Sequence, residues 1–83
     1  MDIKLKIGQR IKELREAKNM SQKDLAYACD LDRSYIASIE TGQRNVSIVN
    51  IEKIALALHI TLKDFFDKDE FSDQSQWTSI PPN

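Results

Sequence analysis

Residues 31–40, which read LDRSYIASIE, decide the fold of this chain. On a helical wheel of about 100° per residue, Ile36 and Ile39 share one side with Tyr35, whereas the opposite side holds only short residues. These short residues are Ser34, Ala37, Ser38 and Thr41. A solvated helix face normally carries Lys and Glu, and this face carries neither. The pattern predicts a short helix with one buried face and one face of short side chains, which allows another surface to come close to the helix.

The turns around this stretch have their own signals. Asp30 is a turn residue, Leu31 supplies an apolar plug, and Asp32 is a candidate N-cap for the helix. Gly42 is expected to end that helix, since glycine readily adopts the left-handed backbone found just after many helices. The predicted helix therefore runs from Arg33 to about Glu40.

The preceding residues predict two further helices. Aliphatic residues spaced by four, four and three positions predict a helix that ends near Lys18, where Asn19 tolerates left-handed backbone. These residues are Ile3, Ile7, Ile11 and Leu14. Ser21, with Asp24 three residues on, is the predicted N-cap of a short helix over residues 22–29. The inward side chains of that helix are expected to be Leu25, Ala26 and Cys29.

Two more helices are predicted downstream. Ser47 caps a fourth helix with an apolar stripe at helical spacing. The stripe consists of Ile48, Ile51, Ile54, Ala55 and Leu58. Thr61 caps a short fifth helix over residues 62–67, with Leu62 and Phe65 facing inward. No strand pattern or repeat is visible, so the predicted fold is all-α, with five helices and a polar C-terminal tail.

Composition places the chain among soluble globular domains. The 83 residues are 41% hydrophobic and 30% charged, which is ordinary for that class. No apolar run approaches the roughly 18 residues that a membrane span needs, and the first residues lack the apolar segment of a signal peptide. A lone cysteine, Cys29, leaves no internal disulfide and fits a reducing compartment. We therefore expect a cytoplasmic protein with no membrane partner.

The overall charge of −1 hides an uneven distribution. Residues 1–66 hold eleven basic and nine acidic side chains, whereas residues 67–83 hold four acidic and one basic. The first segment is therefore weakly positive, which leaves a nucleic-acid partner open. We predict a domain over residues 1–66 and an acidic, polar tail over residues 67–83, either flexible or docked.

The chain lacks the residue sets of common enzymes. One cysteine and one histidine cannot form a Cys/His metal cluster or a cysteine nucleophile with its base. Cys29 is expected to be a small, inert core residue, and His59 a partner of the negative end of the fourth helix. We predict no catalytic site, no metal and no cofactor.

Two interpretations of the short polar face remain open from the residues alone. The face can enter a DNA major groove, where Arg33 reaches two acceptors of a guanine and serines reach acceptors at short range. Ser21 and Gln22, at the start of the preceding helix, can then hold a phosphate. Alternatively, the same small residues pack against another helix.

A family resemblance favours the DNA interpretation. Residues 7–66 resemble the Cro/C1-type, or Xre-like, helix-turn-helix family throughout the domain. The resemblance is carried by IGQRIKELREAKNMSQKDLA, LDRSYIASIETGQRN and NIEKIALALHI. It implies a compact, lambda-repressor-like DNA-binding domain that acts as a homodimer on double-stranded DNA.

The resemblance also implies roles for individual residues. Gln22 matches a phosphate-binding glutamine that braces the recognition helix, and Tyr35 matches a position near the DNA backbone or adjacent bases. Arg15 and Glu40 match a partly buried ion pair. Residues matching base-facing positions are Arg33, Ser34 and Ser38. Residues matching phosphate-contacting loop positions are Gln43, Arg44 and Asn45.

The chain departs from the family pattern at three positions. Asp30 stands where the family usually has glycine, and Val46 stands where proline is common. Asp32 places a carboxylate near the expected DNA backbone, where it can weaken binding or orient Arg33. None of these departures removes the motif.

Within the family, the chain most resembles the small controller proteins of restriction–modification operons, although phage repressors and antitoxin regulators share much of the pattern. Val49, Leu56 and Phe66 are the predicted dimer interface, the alternative being that they pack under the tail. Phe71, Trp77 and Ile80 are apolar anchors in that tail. They can dock on the domain, on the second subunit, or on RNA polymerase or another protein. The alternative function is accordingly an antitoxin or adaptor that binds a protein through its tail.

Overall fold

Each of the five α-helices begins at a side chain that accepts a hydrogen bond from the backbone of its first turn. In the computed structural model, which describes residues 2–72, the helices are α1 (Ile3–Ala17), α2 (Gln22–Cys29), α3 (Arg33–Glu40), α4 (Ile48–Ala57) and α5 (Leu62–Phe65). Their N-caps are Asp2, Ser21, Asp32, Ser47 and Thr61. No strand occurs among the described residues, and the predicted all-α, five-helix fold is confirmed.

The helix ends also follow the sequence signals. Asn19 and Asp30 both have φ near 57°, and Gly42 has φ 77°. The left-handed backbone predicted at Asn19 and Gly42 is therefore present, and Asp30, the predicted turn residue, adopts it as well. His59, which follows α4, has φ 59° and is a fourth residue in this conformation. These tight reversals keep the connections short.

The core is formed where α1 to α5 turn their aliphatic stripes toward one another. Its fully buried side chains are Ile11, Leu25, Ile36, Ile39, Ile54, Leu58 and Phe65. Three assignments to the apolar stripes are wrong: Ile3 is 58% exposed, Ile48 is 75% exposed and Leu62 is 37% exposed. Each is the first residue of its helix, where the chain is still approaching the core, so the buried stripe begins one turn later.

Helix α5 is only four residues long, and α1 holds it in place. Arg10 donates from Nε to the carbonyl oxygen of Phe65 and from Nη2 to that of Asp64, both at 2.7 Å. These carbonyls lie at the C-terminal end of α5, where helical oxygens have few backbone partners; that of Asp64 also accepts from the Asp67 N–H at 3.2 Å. A side chain from α1 therefore adds hydrogen bonds at the end of α5 and ties that helix to α1.

The start of the predicted tail packs on the domain. Residues Asp69–Phe71 form a 3-10 helix, and Lys68 binds Glu13 of α1 with an Nζ–Oε2 distance of 2.8 Å. The ring of Phe71 meets that of Phe66 edge-on, with centroids 5.2 Å apart. Phe71 thus anchors on the domain, whereas the predicted anchors Trp77 and Ile80 lie outside the described residues. The boundary at residue 66 stays a prediction.

Candidate nucleic-acid interface

An ion pair between Arg15 of α1 and Glu40 of α3 holds the third helix against the first. Arg15 donates from Nε to Glu40 Oε2 at 2.8 Å and from Nη2 to Oε1 at 3.0 Å. Only 8% of Arg15 and 7% of Glu40 is exposed. Hydrogen bonding to Glu40 raises the pKa of the Arg15 guanidinium above its ordinary value. The structure therefore contains the ion pair that the resemblance implied, in a bidentate geometry that fixes orientation as well as distance.

Two more hydrogen bonds complete this network. Arg15 Nη1 donates to the carbonyl oxygen of Met20 at 2.7 Å, and Gln22 Nε2 donates to Glu40 Oε1 at 3.1 Å. Among the described residues, every fully buried side-chain nitrogen or oxygen has a partner. The network therefore joins α1, the start of α2 and the end of α3, and it positions Gln22 beside the helix that it was expected to brace.

Gly8 lets the backbones of α1 and α3 come into contact. A Cβ atom on residue 8 would lie 2.1 Å from the carbonyl oxygen of Ile39 and 3.0 Å from Glu40 Cα. No side chain other than hydrogen fits between the two helices at this point. From the sequence, Gly8 indicated only a loss of helix propensity, so its packing role was missed.

The outer face of α3 carries the residues that the sequence assigned to base contacts. Arg33 and Ser34 are exposed, and Ser38 is half-buried. The Ser38 hydroxyl donates to the carbonyl oxygens of Ser34 and Tyr35, each at 3.0 Å. Because its one hydrogen is used within the helix, Ser38 presents acceptor lone pairs outward. It is therefore suited to a base amino group rather than to a base acceptor.

The cap of α3 accounts for Asp32. Its Oδ1 accepts a hydrogen bond from the backbone N–H of Ser34 at 3.4 Å. The carboxylate thus occupies the N-cap position next to Arg33 on the outer face of α3, where the positive end of the helix dipole favours a negative charge.

Tyr35 joins α3 to two neighbouring segments. Its hydroxyl accepts a hydrogen bond from Asn50 Nδ2 of α4 at 3.0 Å. The Arg44 guanidinium carbon lies 5.5 Å from the centre of the Tyr35 ring, within cation–π range. Arg44 is exposed, as are its loop neighbours Gln43 and Asn45. The sequence reasoning did not single out Asn50, since a polar residue on the first turn of a helix is ordinary.

The start of α2 lies beside the start of α3. Ser21, Gln22, Lys23 and Arg33 line one shallow, open depression. The Ser21 backbone N–H already donates to Asp24 Oδ2 at 2.9 Å, and Ser21 Oγ accepts from the Asp24 N–H. The hydrogen bond from the Ser21 backbone N–H is the main cause that lowers the pKa of the Asp24 carboxyl, and the Ser21 side chain lowers it further. Any donor from Ser21 to a phosphate must therefore be its hydroxyl hydrogen.

Comparison with known proteins identifies the family. A family model described as Helix-turn-helix matches residues 11–65. The control protein C.MunI of Mycoplasma sp is 50% identical over 70 residues, which cover 83% of this chain and 95% of that protein. The restriction–modification controller protein C.AhdI of Aeromonas hydrophila is 54% identical in its crystal structure. This chain belongs to the Cro/C1-type helix-turn-helix family, in its restriction–modification controller branch.

The resemblance to controller proteins extends to their folds. The C.AhdI structure has a TM-score of 0.73 to this chain and covers 76% of it and 96% of C.AhdI. The controller protein C.Esp1396I was crystallised as a tetramer with its natural 35-base-pair operator. A chain of that complex is 40% identical to this chain and has a TM-score of 0.75 to it. That match covers 81% of this chain and 90% of C.Esp1396I. The expected family is thus confirmed in sequence and in structure.

This controller-family domain also exposes apolar side chains. Val49, Leu56 and Phe66, the predicted dimer residues, are 60%, 66% and 39% exposed. Phe66 contacts Phe71 at the start of the tail, and the rest of the tail lies outside the described residues, so both the dimer interface and its alternative stay predictions. The exposed Ile3 and Ile48 were not among the predicted dimer residues.

The remaining predicted absences concern chemistry and membranes. Cys29 is buried, and loss of solvation raises the pKa of its thiol, so the reactive thiolate is disfavoured. Residues 2–72 contain no group of three or more side chains placed to hold a metal ion. Over the same residues, no helix has the length and apolar character needed to cross a membrane.

Proposed function

We propose that this protein is a transcriptional regulator of a restriction–modification system that binds double-stranded DNA sequence-specifically and controls its own promoter. It acts as a homodimer on a two-fold operator in the cytoplasm. The observation that carries the proposal is the outer face of α3, with short side chains behind Arg33 and a buried ion pair that fixes its orientation. The family supplies the same conclusion, because the solved C.Esp1396I complex contains operator DNA.

Some side chains contact DNA bases and others contact the phosphate backbone of the DNA. Arg33 is exposed at the first turn of α3, where its guanidinium can donate to O6 and N7 of one guanine. Ser38 accepts from a base amino group. Gln22 and the loop residues Gln43, Arg44 and Asn45 contact phosphates, which position the protein without reading sequence. Nothing among the described residues favours a catalytic function or a protein-binding adaptor over this one.

A selection on random duplex DNA tests the function directly. We expect enrichment of a two-fold symmetric site whose half-sites lie about one helical turn apart, because each domain reads only a few base pairs. Binding should weaken steeply as salt concentration rises, since phosphate contacts release counterions. Failure to enrich any site, together with weak binding that salt does not change, would contradict the proposal.

Replacing Arg33 and Arg44 separately should distinguish base reading from phosphate binding. Arg33→Ala is expected to cost about 1–3 kcal/mol of operator binding and to relax one base position. Arg44→Ala should weaken all duplexes alike and flatten the salt dependence. Lysine variants are the matched controls: Arg33→Lys loses the two-pronged contact and the base preference, whereas Arg44→Lys keeps most of the affinity. Identical behaviour of Arg33→Ala and Arg44→Ala in binding titrations would refute these roles.

A charge in the exposed apolar patch should prevent dimerisation. We expect Leu56→Glu to shift the protein to monomer at micromolar concentration, because pairing two subunits would bury the new carboxylates. Sedimentation equilibrium measures this shift. Tyr27→Glu is the control, since Tyr27 is 90% exposed on α2 and outside the proposed interface. A Leu56→Glu protein that remains dimeric would remove Leu56 from that interface.

A further inference from the structure

Asn50 links helix α4 to the DNA-facing helix independently of the Arg15–Glu40 pair. It lies in the first turn of α4, where its backbone N–H donates to the Ser47 cap at 3.1 Å. Its side chain is half-buried, and its Nδ2 donates to the Tyr35 hydroxyl at 3.0 Å. Because the cap fixes the backbone of Asn50, its amide is held at a defined point beside Tyr35.

This hydrogen bond decides what the Tyr35 hydroxyl can offer to DNA. A tyrosine hydroxyl has one hydrogen to donate and also accepts. Asn50 occupies it as an acceptor, so the hydrogen of Tyr35 is left to donate away from Asn50. A phosphate oxygen or a base acceptor is a suitable partner for that hydrogen.

The ring of Tyr35 extends the link to the loop after α3. The Arg44 guanidinium lies over it at 5.5 Å from the ring centre, so a fixed ring restrains a side chain that is otherwise exposed. The position of Arg44 therefore depends on Tyr35, and the position of Tyr35 depends on Asn50. Of these three residues, Tyr35 and Arg44 are the ones to which a DNA contact is assigned.

We propose that Asn50 is a positioning residue for DNA recognition: it fixes the hydroxyl of Tyr35 as a donor toward the duplex and, through the ring, restrains Arg44. This inference rests on the proposed function. The same helix carries Val49 and Leu56 of the proposed dimer interface, so the link also fixes Tyr35 relative to the second subunit. A dimer that reads two half-sites requires such a fixed distance.

The test is a double-mutant cycle on operator affinity. Asn50→Ala, Tyr35→Phe and the double variant are titrated against the enriched operator by fluorescence anisotropy, with Gln9→Ala as the control. Gln9 is an exposed amide on α1 and has no assigned role in binding, so its loss should leave affinity unchanged. Melting temperature and sedimentation equilibrium are measured for every variant, because the cycle requires that all remain folded and dimeric.

We expect Asn50→Ala and Tyr35→Phe each to weaken operator binding about fivefold to tenfold. The double variant should be no weaker than the weaker single variant, since both changes disable one unit. Arg44→Ala should reduce operator affinity less in the Asn50→Ala protein than in the unmodified protein. A general loss of stability would not produce this difference.

Three results would overturn the inference. The first is operator affinity for Asn50→Ala within twofold of the unmodified protein. The second is multiplication of the two single effects in the double variant, which indicates independent roles. The third is a loss of affinity that follows a loss of folded dimer. If the unmodified protein enriches no operator, the proposed function fails and the inference fails with it, whereas the first two results leave that function intact.

Discussion

Replacing Glu40 with alanine should lower the free energy of unfolding by about 3–5 kcal/mol, because Arg15 is left buried without its counter-charge. Domains of this size are stable by about 5–15 kcal/mol in total, so the variant should be partly unfolded at moderate temperature. Urea denaturation followed by circular dichroism measures the change. Protein concentration must be held constant, since dimerisation adds to apparent stability.

Glu16 provides the control for this prediction. It is an exposed glutamate on α1 whose charge also acts on Arg15, but solvent screens that interaction. Glu16→Ala should therefore change stability by less than about 1 kcal/mol. Replacing Arg15 and Glu40 together by apolar residues should cost less than removing Glu40 alone, because no charge is left unpaired. A loss below 1 kcal/mol for Glu40→Ala would show that the pair is not effectively buried.

Gly8→Ala should destabilise the protein by about 3 kcal/mol, although alanine is the better helix former. Helix propensity alone predicts a gain of about 1 kcal/mol. The added Cβ, however, would lie 2.1 Å from the Ile39 carbonyl oxygen, and a backbone atom cannot rotate away as a side chain does. Forcing an extra methyl into a packed contact costs about 1–3 kcal/mol or more, and the clash should also displace α3.

Thermal denaturation and operator titration together test this prediction. We expect Gly8→Ala to lower the melting temperature and to lose more affinity than its unfolded fraction explains. Lys12→Ala, an exposed change on the same helix, should stay within about 0.5 kcal/mol of the unmodified protein. An increase in stability for Gly8→Ala would mean that α1 and α3 are further apart than the structure places them.

Much of the fold was predictable because local signals and helical period agree. Ser21, Asp32, Ser47 and Thr61 cap the helices that they were expected to cap, since an N-cap depends on neighbouring residues only. Burial was assigned wrongly where it rested only on the helical spacing of the apolar residues. Ile48 follows the stripe of α4 but lies where α4 starts, and a helical wheel does not tell how far the neighbouring helices extend.

The site was predictable only in part, because its contacts join residues far apart in the chain. The family resemblance supplied the pairing of Arg15 with Glu40, which periodicity cannot give. Asn50 touches Tyr35 across 15 positions, and nothing in its neighbourhood marks it. For Gly8 the sequence shows only a cost of about 1 kcal/mol in helix propensity against alanine, and that cost does not tell which neighbouring backbone lies against the glycine.

The contact between Arg10 and the end of α5 has a consequence for the kinetics of assembly. Phe66 directly follows the two carbonyls that Arg10 holds, so its backbone is ordered before a second subunit arrives. The conformational entropy of ordering this segment is lost during folding of the monomer, not during the encounter between subunits. If Phe66 lies in the dimer interface as proposed, newly made chains should therefore pair without first having to order this segment.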